Sequence, residues 1–189
     1  MIDGPSEKSG GPLSYPSGTL EPMDIVIRPV APGEYEALGE ITAQAYLQDG
    51  LLTFGESDWY LDKLKDVAKR AAEADVLVAT QGGQLLGGVT YVPSGGPMAD
   101  LARPGEAEIR MLAVDRAARG RGAGEALVRA CVDRARATEG CTGIVLSTQP
   151  IMHAAHRIYE RTGFVRAPGR DWKPIAGVDF KLITYELTL

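Results

Sequence analysis

Three glycines spaced two residues apart, Gly120, Gly122 and Gly124, follow a basic stretch and open an apolar helical pattern. The first turn of any helix leaves backbone N–H groups without partners, and the helix dipole adds partial positive charge there. Glycines let an anion come close to those groups. The chemistry on offer is capture of a phosphate or diphosphate. Local charge agrees. Between Arg116 and Arg136, six arginines (116, 119, 121, 129, 134 and 136) oppose Glu125 and Asp133, a local charge of +4. The 189-residue chain as a whole carries −5, so the remainder carries −9. A positive island at a helix start suits a polyanion. Two common phosphate patterns fail: in G-x-G-x-x-G the third glycine comes one residue later than here, and no G-x-x-x-x-G-K-[ST] occurs. Taken alone, the stretch also fits a glycine-loosened turn with solvated arginines.

The surrounding pattern predicts the elements that position this turn. Asp24–Arg28 alternates as a strand that Pro29 stops. Pro32–Tyr46 and Trp59–Ala74 have helical spacing, separated by a loop over Leu47–Asp58. Val76–Thr80 and Leu85–Val92 flank Gln81-Gly82-Gly83-Gln84, a hairpin signal. Pro93–Gly105 is a long Gly/Pro-bearing loop, and loops of that length are commonly functional. Glu106–Val114 reads as a strand, Arg119–Ala137 as a helix, Gly143–Thr148 as a buried strand, and Met152–Arg161 as a helix ended by Gly163. Val178–Leu187 is the last strand, with a phase change or bulge near Leu182-Ile183. The order β-α-α-β-β-β-α-β-α-β predicts an α/β fold with a mixed central sheet flanked by helices.

Composition sets bounds. Hydrophobic residues at 44% and charged residues at 24% are ordinary for a globular domain. The acidic balance argues against a nucleic-acid partner. No apolar run reaches the roughly 18 residues that span a bilayer. Residues 1–22 are rich in Gly, Pro and Ser and lack the basic start and apolar stretch of a signal peptide, so they read as a flexible arm before a domain over 23–189. Cys131 and Cys141 make no disulfide framework, which suggests a cytoplasmic setting. His153 and His156 lie three residues apart, but no further ligand stands at a metal-site spacing, so no metal is expected.

Arg119-Gly120-Arg121-Gly122-Ala123-Gly124 resembles the [QR]-x-x-G-x-[GA] signature of the GNAT superfamily, the acyl-CoA-dependent N-acyltransferases. Ala155-His156-Arg157-Ile158-Tyr159-Glu160-Arg161-Thr162-Gly163-Phe164 resembles that family's A-x-x-[LI]-Y-x-x-x-G-F helix. Two motifs in the right order, one helix and one strand apart, are more specific than either alone. The resemblance covers about residues 24–189 and is closest to the small bacterial enzymes.

The resemblance implies a GNAT fold and acetyl-CoA as co-substrate. Backbone N–H groups of Gly120, Gly122, Ala123, Gly124 and Glu125 would hold the diphosphate, with Arg119, Arg121 or Arg116 supplying charge. Leu112 and Val114 would pair with the pantetheine arm as with an added strand, between splayed strands 106–114 and 143–148. An N–H of Leu112 or Ala113 would face the thioester oxygen. Where the family often carries Asn, seven residues before the motif tyrosine, this chain has Met152; Ser147 or Gln149 is the substitute.

Amine acylation needs a neutral amine, stabilised oxyanion charge and a proton for the leaving thiolate. The resemblance makes Tyr159 the acid, a phenol with an ordinary pKa of about 10. It makes Glu108 the base, with Glu106 as rival. Period-two alternation puts Glu108, Arg110 and Leu112 on one face. A core tyrosine and an ion-paired strand carboxylate are the alternatives. The acceptor pocket would be built by 47–58 and 93–105, where Asp49, Glu56, Asp58 and Asp100 would favour a cationic amine. Trp172 would border it. The expected activity is acetyl transfer to a primary amine, small molecule or peptide, by direct attack in a ternary complex. A non-catalytic CoA sensor and a cofactor-free interaction domain are the rivals. A homodimer is common in such families.

Overall fold

The computed structural model describes residues 24–175 and 178–189; the expected arm lies outside them. Twelve regular elements follow one another: β1 (Val26–Pro29), α1 (Tyr35–Gln48), α2 (Tyr60–Lys65), α3 (Val67–Glu73), β2 (Asp75–Gln81), β3 (Gln84–Val92), β4 (Glu106–Val114), α4 (Ala123–Ala137), β5 (Gly143–Thr148), α5 (His153–Arg161), β6 (Val165–Arg166) and β7 (Ile183–Thr188). The strands form one sheet in the order β1-β2-β3-β4-β5-β7-β6. Among the described strands only β4 and β5 run parallel. The α/β arrangement with a mixed sheet is as the sequence predicts.

Several boundaries differ for local reasons. The helix expected over Trp59–Ala74 is broken at Asp66, whose ψ of 72° leaves the helical region and whose side chain accepts from Lys69 N–H at 3.0 Å. An aspartate in a helical pattern competes for backbone donors in this way and starts a new helix. α4 begins at Ala123 rather than Arg119, because residues 116–118 form a separate single turn capped by Asp115. The last strand begins at Ile183: where a phase change was expected, Leu182 pairs with Trp172 instead of with β5. β6, two residues on the sheet edge, is too short to leave a periodic signal. The hairpin between β2 and β3 turns on Gly82 and Gly83, both at positive φ.

The sheet is covered on both faces. α4 buries Leu127, Val128, Cys131, Val132 and Ala135 against Leu77, Val89, Ile109, Ile144 and Leu146. On the other face Leu38 of α1 and Val67 of α3 pack on Val76 and Val78. Burial pushes the Cys131 thiol up to about 12, so it behaves as a small apolar side chain.

Two ion pairs fasten peripheral segments. Arg28 grips Glu34 through two bonds of 2.7 Å, tying β1 to the turn before α1. Arg166 grips Asp171 at 2.9 and 3.0 Å, and Asp171 also accepts from Thr184 N–H. These arginines hold Glu34 and Asp171 at about 2, below their ordinary carboxylate values. A depressed carboxylate contributes stability that is present above its unfolded pKa and lost as pH falls toward the folded one. We expect the thermal midpoint to fall as pH drops from about 4.5 to about 2. Asp171→Asn should have a lower midpoint at neutral pH and a flatter acid profile; scanning calorimetry across that range checks both.

Candidate active site

β4 and β5 are hydrogen-bonded only from Glu106↔Gly143 to Ile109↔Leu146. Beyond that register they part, so residues 110–114 have no ladder partner on the β5 side. On its other side β4 is bulged against β3: Gly88 faces Ala113 and Thr90 faces Arg110, leaving Met111 and Leu112 together opposite Val89. Met111 takes up the distortion with φ +51, a conformation uncommon for a non-glycine residue. The bulge overturns the expected alternation. Arg110 bonds the Tyr60 side chain and Met111 Sδ accepts from Arg70, both on the α1–α3 face, whereas Leu112 packs with the α4-side core. Glu108 and Arg110 therefore share a face that Leu112 does not.

The strand then runs into the glycine turn. Gly120 and Gly122 have φ of +78 and +91, and a Cβ on either would project into open space. The first intrahelical bond runs from Ala126 N–H to Gly122 O at 3.0 Å, so the amides of 122–125 open outward. Gly124 serves packing instead: its Cβ would meet Ile158 at 3.1 Å. A cleft of about 730 Å³ lies here. Leu112, Ala113, Val114, Arg119, Gly120, Gly122, Ala123, Gly124 and Glu125 all line it, together with Ile151–Ala155, Ile158 and Arg161. Arg121 is not on that wall and bonds the Gln81 side chain. Arg119 forms a two-bond pair with Asp49 at 2.9 Å, with both side chains 39% exposed. Exposed pairs are worth about 0–1 kcal/mol, so this guanidinium can exchange partners. An unobstructed glycine cradle on a 15-residue helix, with exchangeable arginine beside it, fits a diphosphate.

A second cleft of about 620 Å³ lies on the other side of the gap between β4 and β5. The two clefts share Tyr46, Leu51, Leu112 and Met152. Tyr159 of α5 lines the second cleft while its ring packs on Phe164 and Tyr185, at 6.1 and 5.8 Å between centroids. Burial disfavours the phenolate and raises the Tyr159 pKa, so its hydroxyl is a neutral proton donor throughout the physiological range. Met152, in the position of the family asparagine, accepts from Thr148 Oγ1 at 3.3 Å. Gln149 donates to Leu51 O at 2.6 Å, and Ser147 lines the second cleft.

Glu108 is 1% exposed and is on neither cleft wall. Its Oε2 accepts from the N–H groups of Asp100, Leu101 and Ala102 at 2.8 to 3.0 Å, and Oε1 lies 3.9 Å from Arg110. Glu106 is gripped by Arg170. Both carboxylates anchor the 93–105 loop region. Three of the four acids expected to attract a cationic acceptor are also engaged, and the fourth, Glu56, is exposed without such a partner among the described residues. Asp49 holds Arg119, Asp100 pairs with Arg110 at 2.6 Å, and Asp58 accepts from the Phe54 and Tyr60 N–H groups. Trp59 is exposed on the rim under Lys63. His156 bonds Gln149 O at 3.0 Å, and no metal-holding group occurs among the described residues.

The acetyltransferase (GNAT) family model matches residues 37–164. The chain belongs to this family. No curated protein matches it. Solved GNAT structures share the fold. The ribosomal-protein-alanine N-acetyltransferase of Brucella melitensis is 21% identical with a TM-score of 0.65, over 87% of this chain and 99% of its own. The PaiA N-acetyltransferase of Thermoplasma acidophilum, solved with coenzyme A, is 15% identical with a TM-score of 0.67, over 88% and 100%. YncA of Salmonella typhimurium, solved with acetyl-CoA, is 19% identical with a TM-score of 0.62, over 88% and 94%.

In this GNAT chain a buried charged lining residue, Arg70, escaped the sequence reading. Arg70 follows Val67 by three residues and so lies on the apolar side of its helix; a lone arginine in that stripe was the available signal. Deleting the Glu108 anchor would leave three loop amides without their acceptor. Glu108→Ala should lose about 2–3 kcal/mol of unfolding free energy, read from guanidinium denaturation, and raise hydrogen exchange at 100–102.

Proposed function

We propose that this chain transfers an acetyl group from acetyl-CoA to a primary amine by direct attack in a ternary complex. The observation that carries the reading is the parting of β4 and β5 between a glycine-opened helix start and the Tyr159 hydroxyl. Acetyl-CoA supplies the activated acyl thioester. The amides of Gly120, Gly122, Ala123, Gly124 and Glu125 bind its diphosphate, and Arg119 exchanges Asp49 for phosphate. Arg121, tied to Gln81, adds longer-range positive charge. The open edge of β4 at Leu112 and Val114 offers strand-like pairing to the pantetheine arm, and a Leu112 or Ala113 amide faces the carbonyl oxygen.

The amine arrives through the second cleft as the neutral base. Its nitrogen forms the C–N bond as the C–S bond breaks; Tyr159 gives its proton to the departing sulfur, and the nitrogen loses a proton to water in the cleft. Tyr159 is recharged by the same solvent. For Glu108 we favour a positioning role, through Arg110 and the 100–102 amides, over that of base, because its carboxylate does not reach either cleft. The catalytic unit of this reading spans 23–189 beyond the arm, and its two unpaired thiols suit the cytoplasm.

Calorimetry with CoA and a thiol-release assay over an amine panel test the reading. Tyr159→Phe should lower kcat about 100-fold or more with unchanged CoA affinity. Gly122→Val should weaken CoA binding at least tenfold and, being strained at a φ of +91, lower the thermal midpoint while circular dichroism still shows a folded chain. Binding without turnover, unaltered in Tyr159→Phe, would instead identify a CoA sensor; no binding would remove both readings.

A further inference from the structure

The proposed chemistry leaves a buried cation of the second cleft unused. Arg70 is 3% exposed and lines that cleft from α3. Its Nη2 donates to Leu64 O at 2.9 Å. Nη1 makes only long contacts, 3.4 Å each, to Thr90 Oγ1 and Met111 Sδ. Nε is buried without any partner. No carboxylate among the described residues comes within ion-pair distance of it. Of the acids nearest along the chain, Asp66 caps Lys69 N–H and Glu73 makes no ion pair with Arg70. Arg110, the other guanidinium in the cleft, differs in having Asp100 at 2.6 Å.

A buried cation is tolerated when it is paired, and an unpaired one destabilises the fold. Trp172 repeats the anomaly. It also lines the cleft, and its Nε1 is buried with no acceptor. Two residues of one cleft wall, from different parts of the chain, thus each carry a buried donor without an acceptor, and none of the acids of that wall bonds either donor. Asp58 and Asp66 cap backbone amides, Asp100 pairs with Arg110, Asp62 is exposed, and Glu73 is half-buried with no bond to Arg70 or Trp172. The missing partner is an acceptor-rich anion. A guanidinium with a free Nε matches a carboxylate in size and geometry.

We propose that Arg70 and the Trp172 indole N–H receive a carboxylate of the acceptor, so that the amine acetylated is a free amino acid rather than a polyamine or a polypeptide N-terminus. This rests on the acetyl-transfer reading and names its substrate class. It reverses the charge preference that the cleft acids suggest in the sequence.

The test uses the full chain, acetyl-CoA, and the common α-amino acids, each beside its α-amide and its decarboxylated amine. Thiol release gives kcat/KM, and calorimetry with CoA present gives acceptor affinity independently of turnover. At least one free amino acid should exceed its amide and its decarboxylated amine tenfold or more in both readouts. Arg70→Met should keep CoA affinity, melt no lower than the parent and lose the preference for the free acid. Trp172→Phe should reduce that preference at least threefold. Equal use of acid and amide, a ratio unchanged in Arg70→Met, or no amino acid bound or acetylated would overturn the proposal. Selective binding of an amino acid without turnover would keep this subsite and overturn the transferase; turnover of amines without acid preference would do the reverse.

Discussion

β4 and β5 pair over four residues and then separate, and the geometry of both clefts follows from that separation. Backbone donors and acceptors inside a sheet ordinarily find partners. Here residues 110–114 of β4 present theirs to a gap in the middle of the sheet. The gap is held open from several sides. The bulge at Met111 twists β4 away from regular pairing. Gly87 lets β3 follow it closely, since a Cβ there would lie 2.3 Å from Ala113 O. Tyr46 from α1 and Met152 at the start of α5 line the gap where the two clefts meet.

The same strand also fixes the loops around the second cleft. Glu106, Glu108 and Arg110 are charged, closely spaced and largely buried. Each reaches toward the 93–105 loop or the segment that follows α5. Glu108 collects three loop amides, Arg110 binds the Met98 carbonyl and Asp100, and Arg170 joins Glu106 to Leu101 O. A long loop with few apolar side chains would otherwise open readily. Charge in this strand thus substitutes for apolar packing and makes a wall from a loop.

What the sequence made legible divides along physical lines. The glycine turn, the hairpin and the helix carrying Tyr159 were readable because each depends on local spacing or on a backbone conformation that only certain residues favour. The break at Asp66 and the start of β7 were not: the first is a local cap that competes with an equally local helical pattern, and the second depends on Leu182 pairing with Trp172 outside the strand's own periodicity. Glu108 is the sharpest case. Its spacing pointed to the cleft, but the bulge that begins three residues on and the amides of 100–102 were invisible to periodicity. The partners of the cleft acids were hidden for the same reason. An aspartate in a sequence is a free charge until its partner is located, and Asp49 finds Arg119 seventy positions away.

The two clefts handle cationic charge differently, and the difference bears on what each can bind. Arg119 is half in water and already has a carboxylate, so replacing Asp49 by a phosphate exchanges one anion for another at little net cost. Arg70 is shielded from solvent and forms no ion pair with a carboxylate among the described residues. Burial pulls its pKa below the usual arginine value, and the Tyr46 and Tyr60 hydroxyls and Asp66 only partly oppose that. Replacing such a group by an apolar side chain of similar volume is commonly neutral or stabilising. The stability of the fold therefore does not explain an arginine at position 70. A ligand that brings its own negative charge does, because it removes the penalty at the moment of binding and gives the cleft a way to reject amines that lack it.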